Sequence, residues 1–221
     1  VESKLNSDCW YKDVCQMDNS CDSCIRFLEM KYLMDNSGLP KARQIPAVLV
    51  PDDIDYDSFV QLNEIKNKIV EYVTGGGNIY IGGHTTGNGK TSWAIKLLLK
   101  YFDEIWAGNG FRPRGVFVHV PTLLLRLKDF DDHDTSFLAF KRRLQIADLV
   151  VWDEIAGTDL SKFDYSQLLA LIDIRAANYL ANVFTGNLER RDEVVSAMGD
   201  RLASRIWNAS EVIILRGRDK R

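Results

Sequence analysis

The stretch Asn78-Ile79-Tyr80-Ile81-Gly82-Gly83-His84-Thr85-Thr86-Gly87-Asn88-Gly89-Lys90-Thr91-Ser92 leaves this chain few choices of fold. It reads as a buried strand, a glycine-rich turn, and the start of a helix that runs on through Trp93, Ala94, Ile95, Leu97 and Leu98. Gly87 and Gly89 let the backbone curl so that successive N–H groups converge on one point. The helix start adds a partial positive charge there, and Lys90 adds a full one. Such a nest suits the β- and γ-phosphates of a nucleotide, with the Thr91 hydroxyl on the accompanying Mg²⁺. The pattern G-x-x-x-x-G-K-[ST] is met at every fixed position but the first, where His84 stands and Gly83 sits one place early. A surface loop that happens to hold Gly-Lys-Thr is the alternative, and the apolar strand before it and apolar helix after it weigh against that. The expected nucleotide contacts are Thr85, Thr86, Gly87, Asn88, Gly89, Lys90, Thr91 and Ser92.

Downstream, apolar strands alternate with helical patterns. Strands are expected at 78–82, 115–120, 149–152, 182–185 and 211–215, and helices at 90–102, from Pro121, at 136–147, 164–180, 189–198 and 200–207. Continuous apolar strands separated by helices predict an α/β fold: a mainly parallel sheet with helices on both faces. Upstream, Ser58 is expected to cap an amphipathic helix to about Tyr72, with Phe59, Leu62, Ile65, Ile69 and Val73 on one side. Residues 41–57, with Pro46, Pro51 and the acids Asp52, Asp53, Asp55 and Asp57, read as a linker. A helix is expected from Ile25 to Met34. The division predicted is a module over 1–45 and a nucleotide-binding domain over 46–221.

Strand 149–152 runs directly into Asp153 and Glu154, about 60 residues after the phosphate loop. Acids at a strand's carboxyl end face the ligand crevice of an α/β sheet. Asp153 would hold Mg²⁺, and Glu154 would orient or deprotonate an attacking water. A solvated acidic loop is the alternative. Strand 182–185 ends in Thr185-Gly186-Asn187, where Asn187 either reaches the γ-phosphate or simply makes a turn. Arg201 and Arg205 lie four apart, hence on one helical face. With Arg216, Arg218 and Arg221 they form either a solvated basic face or a clamp on phosphate charge. His119 reads as a strand residue packed in the sheet, and His84 as part of the turn.

The cysteines fall at positions 9, 15, 21 and 24. No signal-peptide pattern opens the chain and no apolar run approaches a membrane span, so a cytoplasmic protein without membrane contact is expected. In that compartment disulfides are disfavoured. Cys9, Cys15, Cys21 and Cys24 then point to Zn²⁺ held by four thiolates, with free thiols or an iron–sulfur cluster as alternatives. Net charge is −3, so nucleic-acid contact must come from local patches such as Lys141-Arg142-Arg143 and Arg112-Pro113-Arg114. Charge is uneven: residues 1–57 hold 11 acids against 6 bases, and residues 201–221 hold 6 bases against 2 acids.

The phosphate loop, the Asp153-Glu154 pair, strand-end Asn187, the run Met198-Gly199-Asp200-Arg201-Leu202-Ala203-Ser204-Arg205 and Gly217-Arg218-Asp219-Lys220-Arg221 occur in that order. Together they resemble the AAA+ ATPases of the bacterial and phage replicative helicase loader type (DnaC/DnaI-like), over about residues 46–221. The resemblance implies a P-loop NTPase domain of AAA+ type without a C-terminal helical lid, preceded by a cysteine-rich zinc module that engages the helicase. It implies that Lys90, Asp153, Glu154 and Asn187 carry ATP hydrolysis, with Arg205 reaching a neighbour's nucleotide and Arg218 a second sensor. Arg201 is the rival for the Arg205 role. The function implied is an ATP-dependent loader that binds a hexameric replicative DNA helicase, self-associates with ATP, and contacts single-stranded DNA weakly. His84 and the wide cysteine gaps depart from the family's pattern. An IstB-like transposition ATPase, a P-loop small-molecule kinase and a non-hydrolysing zinc adaptor are the other readings.

Overall fold

A computed structural model describes residues 9–12, 15, 24–44, 47–107, 110–129, 134–156 and 160–220. The sheet has five strands: β1 (Asn78–Gly82), β2 (Gly115–His119), β3 (Leu149–Asp153), β4 (Ala181–Thr185) and β5 (Glu211–Ile214), in the order β2-β3-β4-β1-β5. Every pairing is parallel, with Ile79 opposite Val183 and Glu211, and Trp152 opposite both Val118 and Phe184. The first half of the chain supplies α1 (Ile25–Asn36), α2 (Tyr56–Asn67), α3 (Ile69–Thr74) and α4 (Lys90–Ile105). The second supplies α5 (Val120–Lys128), α6 (Thr135–Ile146), α7 (Lys162–Ala177) and α8 (Arg191–Ala203), followed by a π-helical turn over Ser204–Asn208.

Strand alternation sorts these helices onto two faces. Ile79, Ile81, Leu149, Val151, Ala181 and Val183 face α1 to α4, in one core with Leu33, Leu62, Ile69, Leu98 and Phe102. Tyr80, Val150, Trp152 and Phe184 face α5 to α8, in a second core with Leu124, Phe137, Leu168 and Leu202. Each Val, Leu, Ile and Phe among them contributes about 1.5–3 kcal/mol on full burial, so the sheet is held from both sides. The expected doubly covered parallel sheet is what forms.

Two local expectations change. The helix expected from Ser58 to Tyr72 starts earlier, at Tyr56, and breaks at Lys68 into α2 and α3. Ser58 does not cap it: its hydroxyl donates to Ile214 O at 2.8 Å, a tertiary bond that wins over the local one. The apolar side is as read, with Leu62, Ile65, Ile69 and Val73 buried and Phe59 edge-on to Trp93 at 4.9 Å. Nor is the acidic stretch before α2 a free linker. Asp55 is 3% exposed, and its carboxylate accepts the amides of Arg216 at 2.6 Å and Gly217 at 2.8 Å. Helix α1 packs against the helices on one face of the sheet. Met30, Leu33 and Met34 join the α4 core, and the Phe117 amide donates to Ser37 O at 2.6 Å. Among the described residues no helix is long and apolar enough to cross a membrane.

Candidate nucleotide site

The carboxyl ends of β1, β3 and β4 open into a cleft of about 560 Å³ that gathers Thr86 to Ser92 with Asp153, Glu154 and Asn187. Strand β4 lies between β1 and β3, so the Thr185-Gly186-Asn187 turn stands midway between the phosphate loop and the acids. Gly87 (φ 72°) and Gly89 (φ 106°) take left-handed conformations that turn the loop into α4. Gly83, one place before the expected first glycine, is needed for a different reason. A Cβ there would lie 2.0 Å from Leu215 O, because the chain leaving β5 passes directly over it.

Lys90 is 8% exposed, and its ammonium donates to Gly83 O and Thr85 O at 2.7 Å each and to Asn88 Oδ1 at 3.1 Å. All three of its protons are thus spent on the loop itself. Burial lowers its pKa, while the charges of Glu154, Glu189 and Asp153 pull it back up. At the head of α4 the Thr91 hydroxyl donates to Asp153 Oδ1 at 2.7 Å, and Thr185 donates to the same oxygen at 2.8 Å. A hydroxyl and a carboxylate oxygen side by side are the hard ligands Mg²⁺ takes alongside water and phosphate, so these residues fit that ion.

Glu154 has φ 59°, a conformation that a non-glycine residue holds only when its surroundings impose it. Two bonds do so: its amide donates to Thr185 Oγ1 at 3.0 Å, and the next amide, Ile155, to Thr185 O at 2.9 Å. The Glu154 carboxylate turns toward β2, where Oε2 lies 3.1 Å from His119 Nε2; the other ring nitrogen lies 2.8 Å from Thr122 Oγ1. Below the acids, Trp152 stacks on Phe184 at 6.5 Å and its indole N–H donates to Asn182 Oδ1 at 2.9 Å. Arg175, fully buried, donates to that same oxygen at 2.6 Å and to Leu144 O and Ala147 O at 2.8 Å. Burial drops its pKa to about 9, which leaves it charged at neutral pH. This network fixes β3 against β4 one residue before the acids.

Other expected residues lie elsewhere. Thr85 offers its carbonyl to Lys90 rather than lining the cleft. His84 faces α8: its amide donates to Glu189 Oε1 at 3.1 Å and its ring lies 3.6 Å from Glu193. The His84 amide is the main cause of the lowered Glu189 pKa, with burial opposing and Arg216 assisting. Arg201 and Arg205 share one carboxylate, Asp173, at 3.6 and 2.7 Å, outside the cleft. Arg218 extends into solvent beside Asp52, at 3.6 Å. Two residues of the basic clusters serve the fold: Arg143 donates to Asn36 Oδ1 at 3.0 Å, and Arg114 pairs with Asp148. Arg221 and Cys21 lie outside the described residues. Cys9 is buried and Cys15 and Cys24 half-buried, and among the described residues no three His, Cys, Asp or Glu side chains gather as metal ligands. The zinc expectation gains no support from them.

Sequence reasoning missed His119, Thr185 as a bridge between the acids, and the wall formed by Pro40, Ala42, Arg43 and Ala47. For His119 the signal was present: it ends β2, and the strand-end rule that picked Asp153 and Asn187 applies to it equally.

No protein-family profile and no curated protein sequence matches the chain. Solved structures do. The crystal structure of the DnaC helicase loader superposes with a TM-score of 0.64 at 20% identity, covering 76% of this chain and 93% of that one. The crystal structure of DnaI gives 0.62 at 17% identity, covering 81% and 95%. AMPPCP-bound DnaA from Aquifex aeolicus gives 0.54 at 14% identity, covering 76% and 48%. At such identities the likeness establishes architecture alone: the chain shares the fold of these structures.

Proposed function

We propose that this protein is an ATP-hydrolysing helicase loader, which binds a hexameric replicative DNA helicase and delivers it onto single-stranded DNA. One observation carries the hydrolytic part: Lys90, Thr91, Asp153, Glu154 and Asn187 converge on one cleft at the strand ends of an AAA+ fold. The loader part rests on the likeness to DnaC and DnaI along nearly the whole of those chains. Bound Mg²⁺, held by Thr91 and Asp153, would neutralise charge on the β- and γ-phosphate oxygens. Lys90 would exchange its loop carbonyls for phosphate, and Asn187 would orient the attacking water. Glu154, freed from His119, would accept that water's proton. Arg205 would leave Asp173 to reach a neighbouring chain's nucleotide, which makes the oligomer the active form. Single-strand contact would fall to exposed cations such as Arg142 and would weaken steeply with salt.

Lys90→Ala is expected to lower ATP affinity at least about a hundredfold, since the cradle loses its one full charge and charged hydrogen bonds contribute about 1.5–3 kcal/mol each. Near-normal ATP binding by that variant would remove the basis of the proposal. The cysteine module, proposed over residues 1–45 ahead of an ATPase domain over 46–221, would hold one zinc through Cys9, Cys15, Cys21 and Cys24. That proposal rests on cysteine spacing alone, and elemental analysis showing no zinc in protein purified without chelator would end it.

A further inference from the structure

The segment between α1 and α2 does more than connect them. At one end Ser37 O accepts the Phe117 amide of β2, the sheet's outer strand on that side. At the other, Leu49 lies 3.8 Å from where a Cβ on Gly89 would stand, and Val50 O accepts the Lys220 ammonium at 2.7 Å. Strands β3 and β4 separate β2 from β1, so the described residues on either side of 45 and 46 are anchored about three interstrand spacings, or roughly 14 Å, apart, and Pro40, Ala42, Arg43 and Ala47 line the cleft. Arg43 closes a short 3-10 turn midway along the segment and lines the cleft together with Lys90, Asp153 and Glu154.

Two features single Arg43 out. Its side chain is exposed and, among the described residues, has no carboxylate or hydrogen-bond partner, whereas Arg201, Arg205, Arg216 and Arg218 each have an acid. Without it the lining carries no net positive charge: Lys90 faces two acids, Asp153 and Glu154, at a site read as receiving a polyanion. A guanidinium is the side chain best shaped to grip phosphate oxygens in pairs.

We propose that Arg43 is a phosphate-binding residue supplied by the chain's own α1–α2 segment, which contacts the terminal phosphate of ATP and makes the site prefer ATP over ADP. The proposal rests on the nucleotide reading of the cleft and names a residue which that reading did not need. A grip of this kind from the same chain is complete in the monomer, unlike one that waits for a neighbour's Arg205.

The test is equilibrium binding of ATP and of ADP, each with Mg²⁺, to wild-type, Arg43→Ala, Arg43→Lys and Arg43→Glu proteins diluted to monomer. Arg43→Ala is expected to weaken ATP about tenfold, one charged hydrogen bond's worth, and ADP less than about twofold. Arg43→Lys should recover part of the loss, and Arg43→Glu should deepen it. Because the side chain is exposed, melting without nucleotide should not change. Equal losses for ATP and ADP, or no loss for either, would overturn the proposal while leaving the nucleotide reading intact. Wild-type protein that bound neither nucleotide would overturn both.

Discussion

Replacing Asp55 by alanine tests how the C-terminal segment is held against the phosphate loop. The two oxygens of this buried carboxylate each accept one backbone amide, Arg216 at 2.6 Å and Gly217 at 2.8 Å, with the Gly217 bond fully buried. Alanine leaves both donors without a partner. A hydrogen bond to a charged acceptor contributes about 1.5–3 kcal/mol, and a stranded buried group costs about 1–3 kcal/mol. Water can reach the Arg216 amide, so the sum sits low in that range, at about 2–4 kcal/mol. For a chain of this length each kcal/mol moves Tm by roughly 2–4 °C, so a fall of about 5–15 °C is expected. The consequence reaches the site. The same segment places Leu215 O on Asn88 Nδ2 at 2.7 Å and the Lys220 amide on Gly87 O at 3.0 Å. ATP affinity should therefore fall along with stability. Asp55→Asn keeps one acceptor and should fall between the two. Urea denaturation gives the stability, and amide exchange at Gly217 reports the local opening. An alanine variant within about 0.5 kcal/mol of wild type, with Gly217 still protected, would refute the reasoning.

Three further outcomes are expected. Glu154→Gln should bind ATP normally but hydrolyse it at least about tenfold more slowly in a steady-state phosphate-release assay, because the proposed proton acceptor is gone while the backbone bonds to Thr185 remain. Arg205→Ala should keep ATP affinity and lose activity in the assembled state; mixing it with Lys90→Ala protein should restore part of that activity, as some interfaces then join an intact phosphate loop to an intact Arg205. Burial, then the 2.8 Å bond to Asp103, raises the Tyr11 phenol to about 12. A pKa raised on folding stabilises below the unfolded value and is lost as pH climbs through the folded one, so residues 9–12 should loosen from α1 and α4 between about pH 10 and 12, seen as a single ultraviolet phenolate transition missing in Tyr11→Phe.

Much of the sheet was legible because its strands are short apolar runs ending at chemically marked positions. Ile79 to Ile81 lead into the glycine loop, and Val150 to Trp152 lead into two acids, so period and punctuation agreed. The paths of connecting segments were not legible. Asp52 and Asp55 look like solvated loop acids until the chain leaving β5 is brought beside them, about 160 residues later. The tertiary bond of Ser58 to Ile214, which takes the hydroxyl away from capping α2, is announced by no local pattern. His119 was missed because an isolated histidine carries no motif; only its place opposite Asp153 in the sheet brings it to Glu154, the next residue. The strand order was equally hidden, and it is what puts Asn187 between the phosphate loop and the acids.

The most direct measurement on the central claim is capture of a purified hexameric replicative helicase by this protein, with ATP, with ADP and without nucleotide, beside the Lys90→Ala variant. The account predicts a complex whose stability or stoichiometry changes between ATP and ADP for wild type, and a nucleotide-independent response for Lys90→Ala. No association with the helicase under any nucleotide condition, in protein that still hydrolyses ATP, would contradict the loader proposal and leave an ATPase of this fold with another partner.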